Sequence, residues 1–295
     1  MSESHELTNL FLHNTLKANR TTQTRNMVSF NIENSTALVT GTNKKNGIGR
    51  AIVKALAEQG ASKIYATARQ THELDDLVRL YPNGKVVAVA LDVTDHTAIA
   101  TLPTKYPDVN LVVNNAGYFA VMNGSLGNIE LARKEIEINY LAPMAMGRAY
   151  GTHWQKQNLS KSSDDHHAPT AIVNVNAITS YVNVPFGGTY SASKAASHSL
   201  TQAQRRDLWQ NTLVIGVYPG PTETDMTKQI PLEKASVENV ASSIITALKG
   251  GTEEIFPDGR SNKLYHAWKS DAKNAEMMQI QAACAPKTKP VAAEQ

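Results

Sequence analysis

Short apolar runs recur along this chain at helix-sized intervals, and that alternation restricts the possible folds more than any other feature. The runs are TALVT (36–40), SKIYAT (62–67), KVVAVAL (85–91), VNLVVN (109–114), TAIVNV (170–175) and TLVIGVY (212–218). They are β-rich and largely continuous in their apolar character, as strands covered on both faces require. Between the first two, IGRAIVKALAEQ (48–59) places Ile48, Ile52, Ala55 and Leu56 on one helical face and stops at Gly60. Residues 128–150 and 189–209 predict long helices, 236–248 a shorter one, and EEIFPD (253–258) a further edge strand. Strands alternating with helices imply a parallel sheet with helices on both faces.

The 295 residues suffice for one large α/β domain and are marginal for two. A net charge of +3 comes without any Lys/Arg cluster interleaved with aromatics, so nucleic acid is not an expected partner. No apolar run approaches the length of a membrane span. The single cysteine, Cys284, excludes an intramolecular disulfide and suits a reducing compartment, which predicts a cytoplasmic protein.

The expected organisation is a polar extension over 1–34, a domain over 35–260 and a tail over 261–295. In the extension, Lys17, Arg20 and Arg25 balance Glu3, Glu6 and Glu33, and the acidic residues near the start argue against a transit peptide. Met27 lies where a domain of this type could begin. The segment SKSSDDHHAPT (160–170) predicts a loop, and its adjacent Asp164, Asp165, His166 and His167 diverge, so no metal site is expected.

TALVTGTNKKNGIGRAI sets a glycine-rich turn between the first strand and the first helix. In that context the turn leaves space for a pyrophosphate, and the helix N-terminus offers free N–H groups and the positive end of its dipole. Further along, Tyr190 and Lys194 are four apart in YSASK, on one face of a helix. A phenol beside an ammonium is a reasonable proton donor to a carbonyl.

Five segments occur in this order: TG...GIG (40–49), LDV (91–93), NNAG (114–117), YSASK (190–194) and PGPTET (219–224). Together they resemble the short-chain dehydrogenase/reductase family over roughly residues 35–260. The resemblance implies a single Rossmann-type domain, with a parallel sheet of about seven strands and three helices on each face. It also implies a dinucleotide held by Gly41, Asn43, Lys44, Gly47, Ile48 and Gly49, with Asp92 and Val93 beside the adenine. Asn115, Ala116 and Gly117 would support the cofactor at the fourth strand, and Pro219, Gly220, Thr222 and Thr224 would lie by the nicotinamide and phosphates. Assembly through the helices at 128–150 and 189–209 into a homodimer or homotetramer follows from the same resemblance.

The chain departs from the family pattern in its glycine turn, where five residues (Thr42 to Asn46) replace the usual three and bring in Lys44 and Lys45. The second strand ends ATARQ, so Ala68 and then Arg69 stand where an acid would bind the ribose 2′-hydroxyl of NAD. A guanidinium there suits a 2′-phosphate, which predicts NADP(H).

By the resemblance, Tyr190 is the general acid/base. Lys194 stabilises its phenolate and hydrogen-bonds the nicotinamide ribose, and Asn139 in EINYLAP holds a water that links Lys194 to solvent. The family's serine, thirteen residues before the tyrosine, is here Ala177, with Asn176 before it. A methyl group cannot donate to a carbonyl oxygen, a loss of about 10²–10³ in rate by analogy with oxyanion donors. Ser180 is the first candidate to replace it; Thr179, a shifted Asn176 or a polar group on the substrate itself are the others. Tyr118, Phe119, Ile178, Tyr181, Val184, Phe186, Met226 and Ile230 are expected to line an apolar pocket. The expected activity is NADP(H)-dependent interconversion of an apolar carbonyl compound and its alcohol. Ala177 keeps open the alternative of a non-catalytic NADP(H)-binding sensor or scaffold.

Overall fold

The computed structural model describes residues 29–159, 169–208 and 211–284. Its centre is a sheet of seven parallel strands, β1 (Thr36–Val39), β2 (Lys63–Ala68), β3 (Val86–Ala90), β4 (Leu111–Asn114), β5 (Thr170–Val175), β6 (Thr212–Val217) and β7 (Glu254–Ile255). They lie in the order β3-β2-β1-β4-β5-β6-β7, so the winding reverses between β1 and β4. Loops leaving those two strands open a crevice at the carboxyl edge of the sheet.

Alternate residues of each strand feed opposite cores. Ala37 and Val39 of β1 and Leu111 and Val113 of β4 pack with Ile52, Val53 and Leu56 of α1 (Ile48–Glu58) and with Val240 and Ile244 of α7 (Val237–Gly250). The short α2 (Asp75–Leu80) adds Leu77 on the same side. Leu38 and Val112, pointing the other way, pack with Ile99 and Leu102 of α3 (His96–Lys105) and with Met146, Tyr150 and Trp154 of α5 (Ala142–Leu159). Burial of each such aliphatic side chain stabilises the fold by about 1.5–3 kcal/mol. The period of two along the strands therefore turns a continuous apolar run into two cores.

The helix expected over 128–150 is longer and interrupted. It comprises α4 (Ile129–Ile136), a π-turn over Glu137–Leu141 that contains Asn139, and α5. Asn128 caps its start, its side chain accepting from Glu130 and Leu131 N–H. The second long helix, α6 (Gly188–Asp207), is tied to the sheet by buried amides. The β4–β5 register sets Asn114 opposite Asn174. Asn114 Nδ2 donates to Asn174 Oδ1 at 2.8 Å, and Asn174 Nδ2 donates to Gln204 Oε1 at 2.8 Å and Thr201 Oγ1 at 3.0 Å.

Two segments expected to lie outside the domain contribute to it. Phe30 and Ile32 are buried in the core, and Phe30 N–H donates to Leu248 O at 2.8 Å. After β7, α8 (Gly259–Ser270) and α9 (Ala272–Cys284) occupy most of the expected tail. Leu264 of α8 and Ala275 of α9 pack with Ile178 and Val182. Residues 1–28 and the loop residues Asp164 to His167 lie outside the described residues.

Candidate active site

The turn after β1 exposes bare backbone because side chains would not fit. Gly41 has φ +70°, and a Cβ on it would meet Ala116 Cα at 2.8 Å. A Cβ on Gly49 would meet Gly41 O at 2.6 Å and Asn115 Nδ2 at 2.7 Å. Asn115 braces this cradle, donating from Nδ2 to Thr40 O at 2.8 Å and to Gly41 O at 3.1 Å. Thr40 Oγ1 accepts in turn from the N–H groups of Asn115 (2.9 Å) and Ala116 (3.0 Å). Gly47 stands at the N-cap of α1 without a side-chain cap, leaving Ile48 and Gly49 at an N-terminus suited to an anion.

The inserted residues are held by a group that sequence reasoning missed. Arg50, almost fully buried, donates from Nε to Thr42 O (3.0 Å) and from Nη2 to Glu73 O (2.8 Å). It also grips both carboxylate oxygens of Asp76, at 2.7 and 2.9 Å. This guanidinium holds the Asp76 carboxyl down to about 2. Asn43 Nδ2 donates to Glu73 Oε1 at 3.2 Å, and Lys45 lies 3.7 Å from Asp76, whereas Lys44 is exposed. Arg69 is exposed just beyond β2. Asp92 accepts at Oδ1 from the N–H (2.9 Å) and hydroxyl (2.8 Å) of Thr94, and these bonds lower its pKa, with Arg69 adding to the effect. Val93 packs beside it against the second core.

Tyr190 and Lys194 project from the first two turns of α6. Lys194, 4% exposed, donates from Nζ to Val175 O at 2.8 Å and stands 5.8 Å from the centre of the Tyr190 ring. Burial pushes its ammonium down to about 8. Burial also pushes the Tyr190 phenol up, and the nearby Glu135 carboxylate adds to the rise. The expected lowering of the phenol by Lys194 is not seen: burial and Glu135 both raise it. Tyr190 is partly buried, with the Phe119 ring 4.6 Å away between centres.

The π-turn brings Asn139 into this group. Such a turn inserts one residue into a helix and redirects the side chains around it. Asn139 Nδ2 donates to Tyr118 O (2.8 Å) and Ser193 Oγ (2.9 Å), while Oδ1 accepts from Tyr118 N–H (2.9 Å). Gly117 leaves room beside it: a Cβ there would be 3.5 Å from Asn139 Oδ1 and 3.9 Å from Lys194 Nζ. Gly117, Asn139 and the Tyr190–Lys194 pair, from three separate segments, thus converge.

Beside Tyr190 lies a cleft of about 80 Å³, lined by Ala177, Thr179 and a largely apolar wall. Of the expected lining, Phe119, Ile178, Val184, Phe186, Met226 and Ile230 are there. Tyr118 and Tyr181 are not among the lining residues. Tyr118 lies under Lys134, and Tyr181 joins an aromatic cluster with Tyr218, Tyr265 and Trp268. Ser180 does not line the cleft, and its hydroxyl is buried without a partner. Thr179 does line it, with Oγ1 likewise buried and unpartnered. Asn176 turns toward α6, donating to Thr201 Oγ1 at 3.3 Å.

On the opposite wall, Pro219 and Gly220 line the cleft. Gly220 N–H donates to Asp258 Oδ2 at 2.8 Å, and Asp258 also caps α8. Thr222 and Thr224 complete this loop, their hydroxyls directed to the carbonyls of Gly220 (3.2 Å) and Thr222 (3.3 Å). The roles of Arg50 and Asp258 were not visible in the sequence, because each depends on a contact made only in three dimensions.

Comparison with known proteins agrees with this architecture. A solved short chain dehydrogenase from Burkholderia cenocepacia, in complex with NADP, superposes with a TM-score of 0.76 at 30% identity, covering 85% of this chain and 99% of that one. The 3alpha-hydroxysteroid dehydrogenase of Mediterraneibacter gnavus is 27% identical over 76% of this chain and 87% of its own length. The NADPH-dependent 1-acyldihydroxyacetone phosphate reductase of Saccharomyces cerevisiae is 27% identical over 82% of this chain and 73% of its own. The sequence profile of the short chain dehydrogenases matches residues 35–235. With its seven-stranded Rossmann-type sheet and that match, the chain belongs to the short chain dehydrogenase family and is an oxidoreductase.

Proposed function

We propose that this protein interconverts a ketone or aldehyde and its alcohol with NADP(H), using Tyr190 as the acid/base. The observation that carries the reading is the meeting of Tyr190, Lys194 and Asn139 beside Gly117, at the end of a largely apolar cleft. A protein that only bound a dinucleotide would have no use for a phenol facing an apolar cleft.

The turn is compatible with a dinucleotide, since Gly41 and Gly49 let the loop pack tightly on Ala116 and Asn115 and the N-terminus of α1 beside it has no side-chain cap. Gly41, Gly47, Ile48 and Gly49 would hold the pyrophosphate, with Asn43 shaping the loop. Asp92 and Val93 would flank the adenine, and Asn115, Ala116 and Gly117 the ribose side. Pro219, Gly220, Thr222 and Thr224 would border the nicotinamide, which supplies or accepts the hydride when bound. The exposed Arg69, with Lys44, favours a 2′-phosphate; a solved relative bound to NADP and a yeast relative named as NADPH-dependent support the same choice.

The remaining chemistry belongs to this chain. Tyr190 keeps its proton at neutral pH and can give it to a carbonyl oxygen. Lys194, charged below about 8, stabilises the phenolate left behind. Asn139 fixes Tyr118 and Ser193 around them. Ala177 offers only a methyl to the cleft, so the carbonyl oxygen loses a donor worth about 3–4 kcal/mol and relies on Tyr190.

NADPH consumption with a panel of ketones and aldehydes tests the reading. Turnover should appear and should vanish in Tyr190→Phe while NADPH still binds. Tight NADPH binding with no turnover on any of them would favour the sensor or scaffold reading, which Ala177 supports. Exposed Leu126, Ile129, Leu131 and Met144 on and beside α4 and α5 favour assembly into a homodimer or homotetramer, measurable by sedimentation. Among the described residues no helix is long and apolar enough to cross a membrane. We also infer a cytoplasmic location from the lone cysteine.

A further inference from the structure

The cleft beside Tyr190 has one cationic wall residue. Arg260, in the first turn of α8, lines it together with Ala177, Tyr190, Met226 and Leu232. Its guanidinium is held by one neighbour, Nη2 donating to Gln279 Oε1 at 3.2 Å. Gln279 comes from α9, lines the same cleft and is only 5% exposed. Among the described residues no carboxylate lies within 4.0 Å of Arg260. The nearest acid in sequence, Asp258, is already used by the N–H groups of Gly220 and Ser261, each at 2.8 Å.

A guanidinium set in a largely apolar wall by a buried amide, with no carboxylate of its own, is a receptor for a planar or tetrahedral oxyanion. The cofactor phosphates are not the natural occupants. Gly41, Gly47, Gly49 and Arg69, expected to hold the pyrophosphate and 2′-phosphate, line no part of this cleft, and of the residues expected by the nicotinamide and phosphates only Pro219 and Gly220 line it, not Thr222 or Thr224. We propose that the substrate is an amphiphilic carbonyl compound with an anionic group, carboxylate or phosphate monoester, bound by Arg260. Its apolar body would lie along Phe119, Val184, Phe186 and Met226. This rests on the carbonyl–alcohol reading of the cleft, and it adds the substrate class.

The test separates binding from turnover. Decanoate, decyl phosphate and 1-decanol are titrated calorimetrically into the full-length protein saturated with NADP⁺. At least one anion should bind more than about tenfold more tightly than the alcohol. Arg260→Gln should abolish that advantage and Arg260→Lys should retain part of it; the tighter anion identifies the head group. In turnover, the kcat/KM ratio of an oxo-alkanoate to its methyl ester should fall by about tenfold in Arg260→Gln. Equal affinities for anion and alcohol, or an anion preference that survives Arg260→Gln, overturn the proposal. A parallel loss of NADPH affinity in Arg260→Gln also overturns it, by returning Arg260 to the cofactor. Arg260-dependent anion binding without reduction of any oxo compound would uphold the anion site and refute the reductase reading instead.

Discussion

Lys194 Nζ donates to the carbonyl oxygen of Val175 at 2.8 Å, and this bond anchors an ammonium that is almost fully buried. The fold thus holds a cation at a point where burial disfavours charge. A base with a folded pKa near 8 against 10.5 when free binds its proton more weakly in the folded state. The penalty is absent above the free value, grows as pH falls from 10.5 to about 8, and is full below that. By linkage it amounts to roughly 2–3 kcal/mol net, the bond to Val175 already included.

Lys194→Met should therefore stabilise the cofactor-free protein by about 2 kcal/mol near neutral pH while impairing NADPH binding and turnover. Urea unfolding at neutral pH and at about pH 10 checks this, because the gain should shrink at the higher pH. In the parent enzyme, turnover should decline as pH rises through about 8 and the ammonium is lost. A variant less stable than its parent at neutral pH would show that the bond to Val175 outweighs the cost of burial.

Arg69 is exposed where β2 ends, beyond Ala68, with no acid at either position. NADPH should bind at least about tenfold more tightly than NADH, a difference of about 1.4 kcal/mol. Arg69→Ala should remove most of that gap with little effect on NADH. Fluorescence titration of both cofactors gives the ratio, and equal dissociation constants in the parent would refute the 2′-phosphate reading.

Arg50 and Asp76 form a fork-to-fork pair that fastens the lengthened glycine loop to the segment after β2. The Asp76 carboxyl is held down to about 2 against 3.8 when free, so the pair contributes fully above 3.8 and is lost as pH falls through about 2. Its side chain is 37% exposed and water screens the pair, which limits the contribution to about 1 kcal/mol. Asp76→Asn should cost about that much at neutral pH and little at about pH 2, as acid and urea titrations would show. It should also weaken NADPH binding several-fold, since Arg50 then holds Thr42 without its own carboxylate.

The strands were legible because a strand buried on both faces writes its burial into consecutive residues. β1, β5 and β6 fall within a residue of their expected spans. α3 was not legible: HTAIATLPTK buries only Ile99, Leu102 and Pro103, and proline so near the end of a helix reads as a stop. α8 and α9 were missed because α8 packs by Leu264, Tyr265 and Trp268 against aromatic partners, not by a regular aliphatic stripe. Asn139 was expected on a regular helix, and nothing in EINYLAP announces a π-turn. At the candidate site, local motifs singled out Gly41, Gly49, Tyr190 and Lys194 in advance of any contact. The contacts of Arg50 with Asp76, Gly220 with Asp258 and Arg260 with Gln279 join residues that no spacing rule connects.

Ala177 is the clearest lever on activity. Its methyl faces the cleft with Tyr190, while Ser180 is outside the lining and Asn176 is turned to α6. Ala177→Ser adds one oxygen at a position 7% exposed, so the fold should tolerate it. If the carbonyl oxygen lacks a second donor, the variant should reduce a substrate faster by up to about 10²–10³. Ser180→Ala should then change little, because that hydroxyl is not in the cleft. Thr179→Val is the informative companion: Thr179 lines the cleft and its hydroxyl has no partner. If a small movement of the turn lets Thr179 serve as the donor, Thr179→Val should slow the parent about as much as Ala177→Ser would otherwise have quickened it. Steady-state kcat/KM for the three variants on one substrate decides between these outcomes. An Ala177→Ser enzyme no faster than its parent, together with a Thr179→Val enzyme no slower, would show that the substrate brings its own donor or that Tyr190 suffices.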